Sequence, residues 1–141
     1  MLRVILLLLI SFSVHARESY GDITIREVTS IYDADTFRVN IDGWPDIIGK
    51  RIPVRVAGVD APEIRGQCDS EKIAARKAKQ FTVRALRNAG IIELRNIRRG
   101  KYFRIIAEVY IDGVQLAELL IRAGHARPYS GGKRRGWCGA R

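Results

Sequence analysis

The hydrophobic period of this sequence changes only three times between residues 23 and 123, and that limits the fold more tightly than composition does. The runs Ile23 to Tyr32, Thr36 to Ile41, Arg51 to Val59, Ile91 to Ile97 and Tyr102 to Ile111 are rich in β-branched residues or alternate apolar with polar, as short half-buried strands do. In the third run Ile52, Val54 and Val56 face one way, and Arg51 and Arg55 the other. Ile105, Ala107, Val109 and Ile111 form the inward set of the fifth. Between the third and fourth runs, Ala74, Ala78, Phe81 and Ala85 recur at helical spacing. They predict a helix capped by Asp69 or Ser70, running to about Ala89 and stopped at Gly90, with Lys72, Arg76, Lys79 and Arg84 on its solvated side. After the fifth run Asp112-Gly113 turns the chain into a second helix, Val114 to Ala123, with Leu116, Leu119, Leu120 and Ala123 inward and a Glu118/Arg122 pair outside. Five strands with helices in these two places fit an α+β, mainly β fold. The expected form is a five-stranded Greek-key barrel of the OB type, with two helices packed against it.

A chain of 141 residues suffices for one such domain, here expected over residues 17–141 with a basic C-terminal tail. Residues 1–16 read as a signal peptide: Arg3 leads an apolar run from Val4 to Ile10, and Val14-His15-Ala16 forms a small-residue cleavage site. The run is too short, and too broken by Ser11, Ser13 and His15, for a membrane span of about 20 residues. Export to the periplasm or the medium is therefore expected. Losing Arg3 leaves a net charge of +9, which favours polyanionic partners, nucleic acid before an anionic envelope. Cys68 and Cys138 in an exported chain predict one disulfide, closing a loop of roughly 70 residues and contributing on the order of 4 kcal/mol. A zinc site lacks partners, because His125 is the one histidine beyond the signal peptide and no CxxC pair exists. Pro128 to Arg141, rich in Gly and basic residues, is expected to be loosely ordered except where Cys138 ties it down.

The chemistry concentrates in two short stretches. Asp33-Ala34-Asp35 separates the first two strands, and two aspartates at that spacing project from one side of an extended segment. RVAGVDAPE, Arg55 to Glu63, carries Asp60 and Glu63 around Pro62, which restricts the geometry of Asp60, the Ala61 carbonyl and Glu63. Restricted oxygens suit a hard cation such as Ca²⁺. In a basic protein, acids gathered at strand ends repel one another unless a cation neutralises them. Arg55 and Arg104 add planar forks matched to phosphate.

Together DADTF, RVAGVDAPE, the long helix, KYFR and IAEVYIDGVQLAELLIRAG resemble the staphylococcal nuclease family from about Ile23 to Arg127. The resemblance implies Ca²⁺-dependent hydrolysis of phosphodiesters in DNA and RNA on an OB-type barrel. Carried over by motif, it implies that Asp35, Asp60 and the Ala61 backbone carbonyl ligate the metal, with Asp33 just behind them. It likewise implies that Glu63 orients or deprotonates the attacking water, that Arg55 and Arg104 bind the scissile phosphate, and that Lys101 and Tyr102 contact a neighbouring one. Ala61 stands where the family has threonine, and Ala34 and Phe103 stand where it has glycine, so the turn at Ala34 must avoid a positive φ.

A non-catalytic OB-type binder of single-stranded nucleic acid is the alternative, since basic grooves and aromatic platforms serve that purpose as well. Such a binder gains nothing from several carboxylates facing a polyanion. A basic envelope-binding protein would leave the acids unexplained too. The nuclease is expected to act as a monomer on DNA, RNA or both, without an obligate protein partner.

Overall fold

The computed structural model describes residues 18–139, so the signal-peptide expectation for residues 1–16 lies outside the described residues. The elements are β1 (Ile23–Ile25), β2 (Glu27–Asp33), β3 (Thr36–Asn40), α1 (Asp46–Gly49), β4 (Ile52–Val56), β5 (Val59–Asp60), α2 (Asp69–Asn88), β6 (Ile92–Arg99), β7 (Ile105–Ile111), β8 (Val114–Gln115), α3 (Leu116–Arg122) and β9 (Arg127–Pro128). The main sheet runs β1-β6-β7-β4-β3-β2, with β8 added to β7. Its neighbours are antiparallel apart from the parallel pair β4 and β7. Only Arg26 separates β1 from β2, so one bent strand pairs with β6 through its first half and with β3 through its second. That bend closes the ring of pairings into the expected OB-like barrel.

Phe37, Val39, Val54, Val56, Leu94, Ile97 and Val109 fill the interior, each under 2% exposed. Each side chain of this kind contributes roughly 1.5–3 kcal/mol. The alternation expected in β4 and β7 is present: Ile52, Val54 and Val56, and Ile105, Ala107, Val109 and Ile111, are buried, while Arg55 is only partly covered. Helix α2 packs on β2 and α3. No helix among the described residues is long and apolar enough to cross a membrane.

Several boundaries differ from the sequence expectation for identifiable reasons. The fifth strand starts at Ile105, because Tyr102 and Phe103 take left-handed φ values of 55° and 59° in the turn before it. Arg98 and Arg99 belong to β6 rather than to that turn. The third run breaks at Ala57-Gly58, where Gly58 adopts φ 83°, and resumes as β5. A third, short helix, α1, lies in the β3–β4 connection. The face that α2 buries is Glu71, Ala75, Ala78, Thr82 and Leu86, which includes two polar residues that a purely apolar stripe overlooks. Helix α3 begins at Leu116, after the two-residue strand β8, and buries Leu116, Ala117 and Leu120, while Ala123 is exposed. The Glu118/Arg122 pair forms as expected, at 3.4 Å.

Candidate active site

Asp33 and Asp35 flank the tight connection from β2 to β3, in which Asp33 pairs with Thr36 and a register shift between Ile31 and Asp33 kinks the strand. Ala34 does not take a positive φ, so the turn avoids the strain its Cβ would meet there. The Ala34 carbonyl accepts a 2.8 Å hydrogen bond from the Thr82 hydroxyl, which pins the turn to α2. Asp35 is buried and fully engaged. Its Oδ1 takes a salt bridge from Arg55 Nη1 and a 3.1 Å bond from the Thr36 hydroxyl; its Oδ2 accepts the Ala61 N–H at 3.0 Å. Asp33 has no such support, and its Oδ1 is buried without a partner. Burial, reinforced by the charge of Asp35, pushes its pKa up to about 7.

Arg55 stands on the outer face of β4, and its side chain is 14% exposed. Beyond Asp35, its Nη2 reaches the Val59 carbonyl at 3.3 Å and Asp60 Oδ1 at 3.8 Å. One guanidinium thus draws Asp35 and Asp60 toward a common point. A second guanidinium meets the same Asp60 oxygen. Arg134 donates through Nε to Asp60 Oδ1, through Nη1 to Glu63 Oε1, and through Nη2 to the Ala61 carbonyl at 3.2 Å. Asp60 Oδ2 in turn accepts from Trp137 Nε1 at 3.0 Å and Arg127 Nη2 at 3.4 Å. The tail expected to be loosely ordered is therefore built onto the site through Arg127, Arg134 and Trp137. Its basic composition was visible in the sequence, but its destination was not.

The 61–71 loop is shaped by Glu71. That buried carboxylate accepts the backbone N–H of Glu63 at 3.2 Å and of Gln67 at 3.0 Å. A Cβ on Gly66 would lie 2.6 Å from Glu71 Oε2, so the close approach depends on glycine. Helix α2 therefore carries one polar anchor for each acidic stretch, Thr82 for Asp33-Ala34-Asp35 and Glu71 for the loop holding Glu63. Cys68 and Cys138 form the expected disulfide, with Cα atoms 6.0 Å apart. Glu71 and the two sulfurs lie within 4.8 Å of one another, but both sulfurs are spent on each other, so this group is a staple and not a metal site.

The structure does not bring every predicted site residue to one point. Lys101 and Tyr102 are exposed on the turn before β7, Tyr102 at 89%. Arg104 precedes β7 and so falls beside Pro53, two residues along the sheet from Arg55. Its Nε is buried without a hydrogen-bond partner. It borders a cleft of about 450 Å³ walled by Tyr20, Trp44, Ile48 and Phe103, with Arg98 and Arg99 at its edge.

Asp35, Asp60, the Ala61 carbonyl and Glu63 are all oxygen donors. They are linked in a row by two guanidinium groups, Arg55 bridging Asp35 and Asp60 and Arg134 bridging Asp60, the Ala61 carbonyl and Glu63, while the three carboxylates do not all come within 4.8 Å of one another. That donor set suits a hard divalent cation.

A family model described as staphylococcal nuclease homologue matches residues 53–136. The chain belongs to the staphylococcal nuclease family. The family match covers Arg55, Asp60, Ala61, Glu63, Arg104 and the docked tail as far as Gly136, while Asp33 and Asp35 lie upstream of it. Among curated relatives, the probable endonuclease lcl3 of Pyrenophora tritici-repentis is 31% identical over 103 residues, which is 60% of this chain and 38% of that protein. The probable endonuclease lcl3 of Emericella nidulans is 31% identical over 116 residues, covering 70% of this chain and 39% of the relative. The chain thus spans about two fifths of the length of these curated relatives.

Proposed function

We propose that this protein is a Ca²⁺-dependent nuclease that hydrolyses phosphodiester bonds in DNA, RNA or both, and that it is exported. The observation that carries the reading is the run of oxygen donors Asp35, Asp60, the Ala61 carbonyl and Glu63 linked by Arg55 and Arg134, in a chain whose net charge is +10. A basic surface attracts the polyanion, and a pocket of acids within it serves chemistry rather than attraction. Membership of the nuclease family and the names of the lcl3 relatives support the nuclease part of this reading.

Asp35, Asp60 and the Ala61 carbonyl would hold the metal, with Asp33 behind them. When bound, Ca²⁺ supplies positive charge to polarise a phosphoryl oxygen. Arg55 has its fork at the same point and binds a non-bridging phosphate oxygen, while Arg104, with an unspent Nε, takes another. Glu63 is the most exposed carboxylate of the set, and so the one placed to hold a water and receive its proton. As the water oxygen bonds to phosphorus, the bond to the departing ester oxygen breaks. Lys101 and Tyr102, on the exposed turn, contact the adjacent phosphate, and the cleft beside Arg104 offers Trp44 and Phe103 for an unpaired base to stack on.

Digestion of single-stranded DNA by the chain from Arg17 onward tests this. Cleavage should require Ca²⁺, stop reversibly with EDTA, and fall by roughly 10²–10⁴-fold in Glu63→Gln, with unfolding midpoints unchanged. Binding that is equal with and without metal, and no cleavage in any arm, would identify the non-catalytic binder instead.

A further inference from the structure

The C-terminal segment contributes something that the proposed reaction does not use. Arg134 places its fork on Asp60, the Ala61 carbonyl and Glu63 at once. These are two of the groups assigned to the cation and the one assigned to the water. The segment carrying it is fixed on both sides. Before it, Arg127 pairs with Asp60 in the β9–β5 ladder and donates to the carbonyls of Arg135 and Gly136 at 2.9 and 3.2 Å. After it, Trp137 donates to Asp60 and stacks under the Arg127 guanidinium at 3.7 Å, and Cys138 is bonded to Cys68.

We propose that Arg134 is a tethered competitor for the divalent cation: docked, it fills the space between Asp60, Ala61 and Glu63, and cation entry requires it to swing out. The name of the cation and its catalytic purpose rest on the nuclease reading; the competition rests on the contacts alone. Guanidinium and divalent cation need the same oxygen lone pairs and repel each other, so Arg134 and a cation cannot share Asp60, the Ala61 carbonyl and Glu63, whereas Arg55 touches none of these closer than 3.8 Å. Burial works against the Arg134 charge, yet Glu63 and Asp60 outweigh it and hold its pKa above the usual arginine value. The Arg134 side chain remains 36% exposed, against 14% for Arg55, so it has a route to solvent that Arg55 lacks. A short tether gives such a group an effective concentration in the millimolar range. The apparent cation affinity is then the intrinsic one reduced by the fraction of molecules with Arg134 undocked. At low Ca²⁺ the acids stay neutralised and Glu63 Oε1 is occupied by Arg134. At high Ca²⁺ the site opens.

Calorimetric titration of Ca²⁺ into the wild type, Arg134→Gln, Arg134→Lys and Arg135→Gln proteins decides the matter. Arg135 is exposed and offers its backbone carbonyl to Arg127, so its replacement removes one nearby charge and leaves the plug in place. Arg134→Gln should bind Ca²⁺ about tenfold more tightly, Arg134→Lys by an intermediate factor, and Arg135→Gln within about twofold of wild type. In a Trp44→Phe background, Trp137 emission should change over the same Ca²⁺ range as binding. Unchanged or weaker binding in Arg134→Gln, equal tightening in Arg134→Gln and Arg135→Gln, or no binding by any of the proteins would overturn the proposal. If glutamine weakens the fold, the lysine variant carries the same test. DNA cleavage measured on the same preparations separates the two readings. Tighter Ca²⁺ binding without cleavage by any protein sinks the nuclease and keeps the competitor, whereas intact cleavage with unchanged affinities does the reverse.

Discussion

The two halves of the acidic site are neutralised by arginines of different kinds. Asp35 meets Arg55, a strand residue on the tight turn into a neighbouring strand; Glu63 meets Arg134, a tail residue on a loop. The Asp35 side chain is 2% exposed and the Glu63 side chain 49%. One pair is part of the barrel and the other rests on top of it. A buried charge is tolerable only with its partner in place, whereas an exposed pair adds little stability and can exchange partners at little cost. The first half is thus suited to fix geometry, and the second to be vacated for water and cation.

That contrast can be broken from either side. The largest expected effect is Arg55→Met, which leaves Asp35 buried and unpaired. It should destabilise the protein by roughly 3–5 kcal/mol in urea unfolding, whereas Arg134→Gln should cost under about 1 kcal/mol. Similar losses in both would erase the distinction. Next is Thr82→Val, which keeps shape but strands the buried Ala34 carbonyl. A loss of roughly 1–3 kcal/mol is expected, together with reduced cleavage, because the turn carrying Asp35 loses its anchor. Thr82→Ser should restore most of both.

Asp33→Asn should act in the opposite direction, and its size should depend on pH. The folded state holds the Asp33 proton up to about pH 7, against an ordinary value of 3.8. The wild type therefore loses stability as pH climbs from about 4 to 7, and the full penalty is present above 7. In chelator, Asp33→Asn should gain on the order of 1–3 kcal/mol at pH 8 and nothing near pH 4. A gain that shrinks as pH rises would contradict the assignment.

The barrel was legible because strand alternation and the three changes of period are local properties. Ile52, Val54 and Val56 could point only one way once Arg55 pointed the other, although Arg51, at φ 52°, falls outside the strand. The acids were legible for a related reason, since carboxylates at strand ends of a basic chain demand neutralisation. What neutralises them was hidden, because Arg134 lies 74 residues from Asp60 and its contact depends on closure of both the barrel and the disulfide. Glu71 and Thr82 escaped for another reason. They lie on the buried face of α2, where an apolar stripe was sought, and their satisfied hydrogen bonds are what make polar residues admissible there. Tyr102 and Phe103 escaped because bulky residues seldom adopt positive φ.

The most direct test of the central claim is the position of a bound metal in crystals grown with Ca²⁺, or with a lanthanide in its place, located by anomalous scattering. The account predicts one peak among Asp35, Asp60 and the Ala61 carbonyl, with the Arg134 guanidinium displaced from Asp60 and Glu63. A peak elsewhere, or none while Arg134 stays docked at saturating metal, would contradict it.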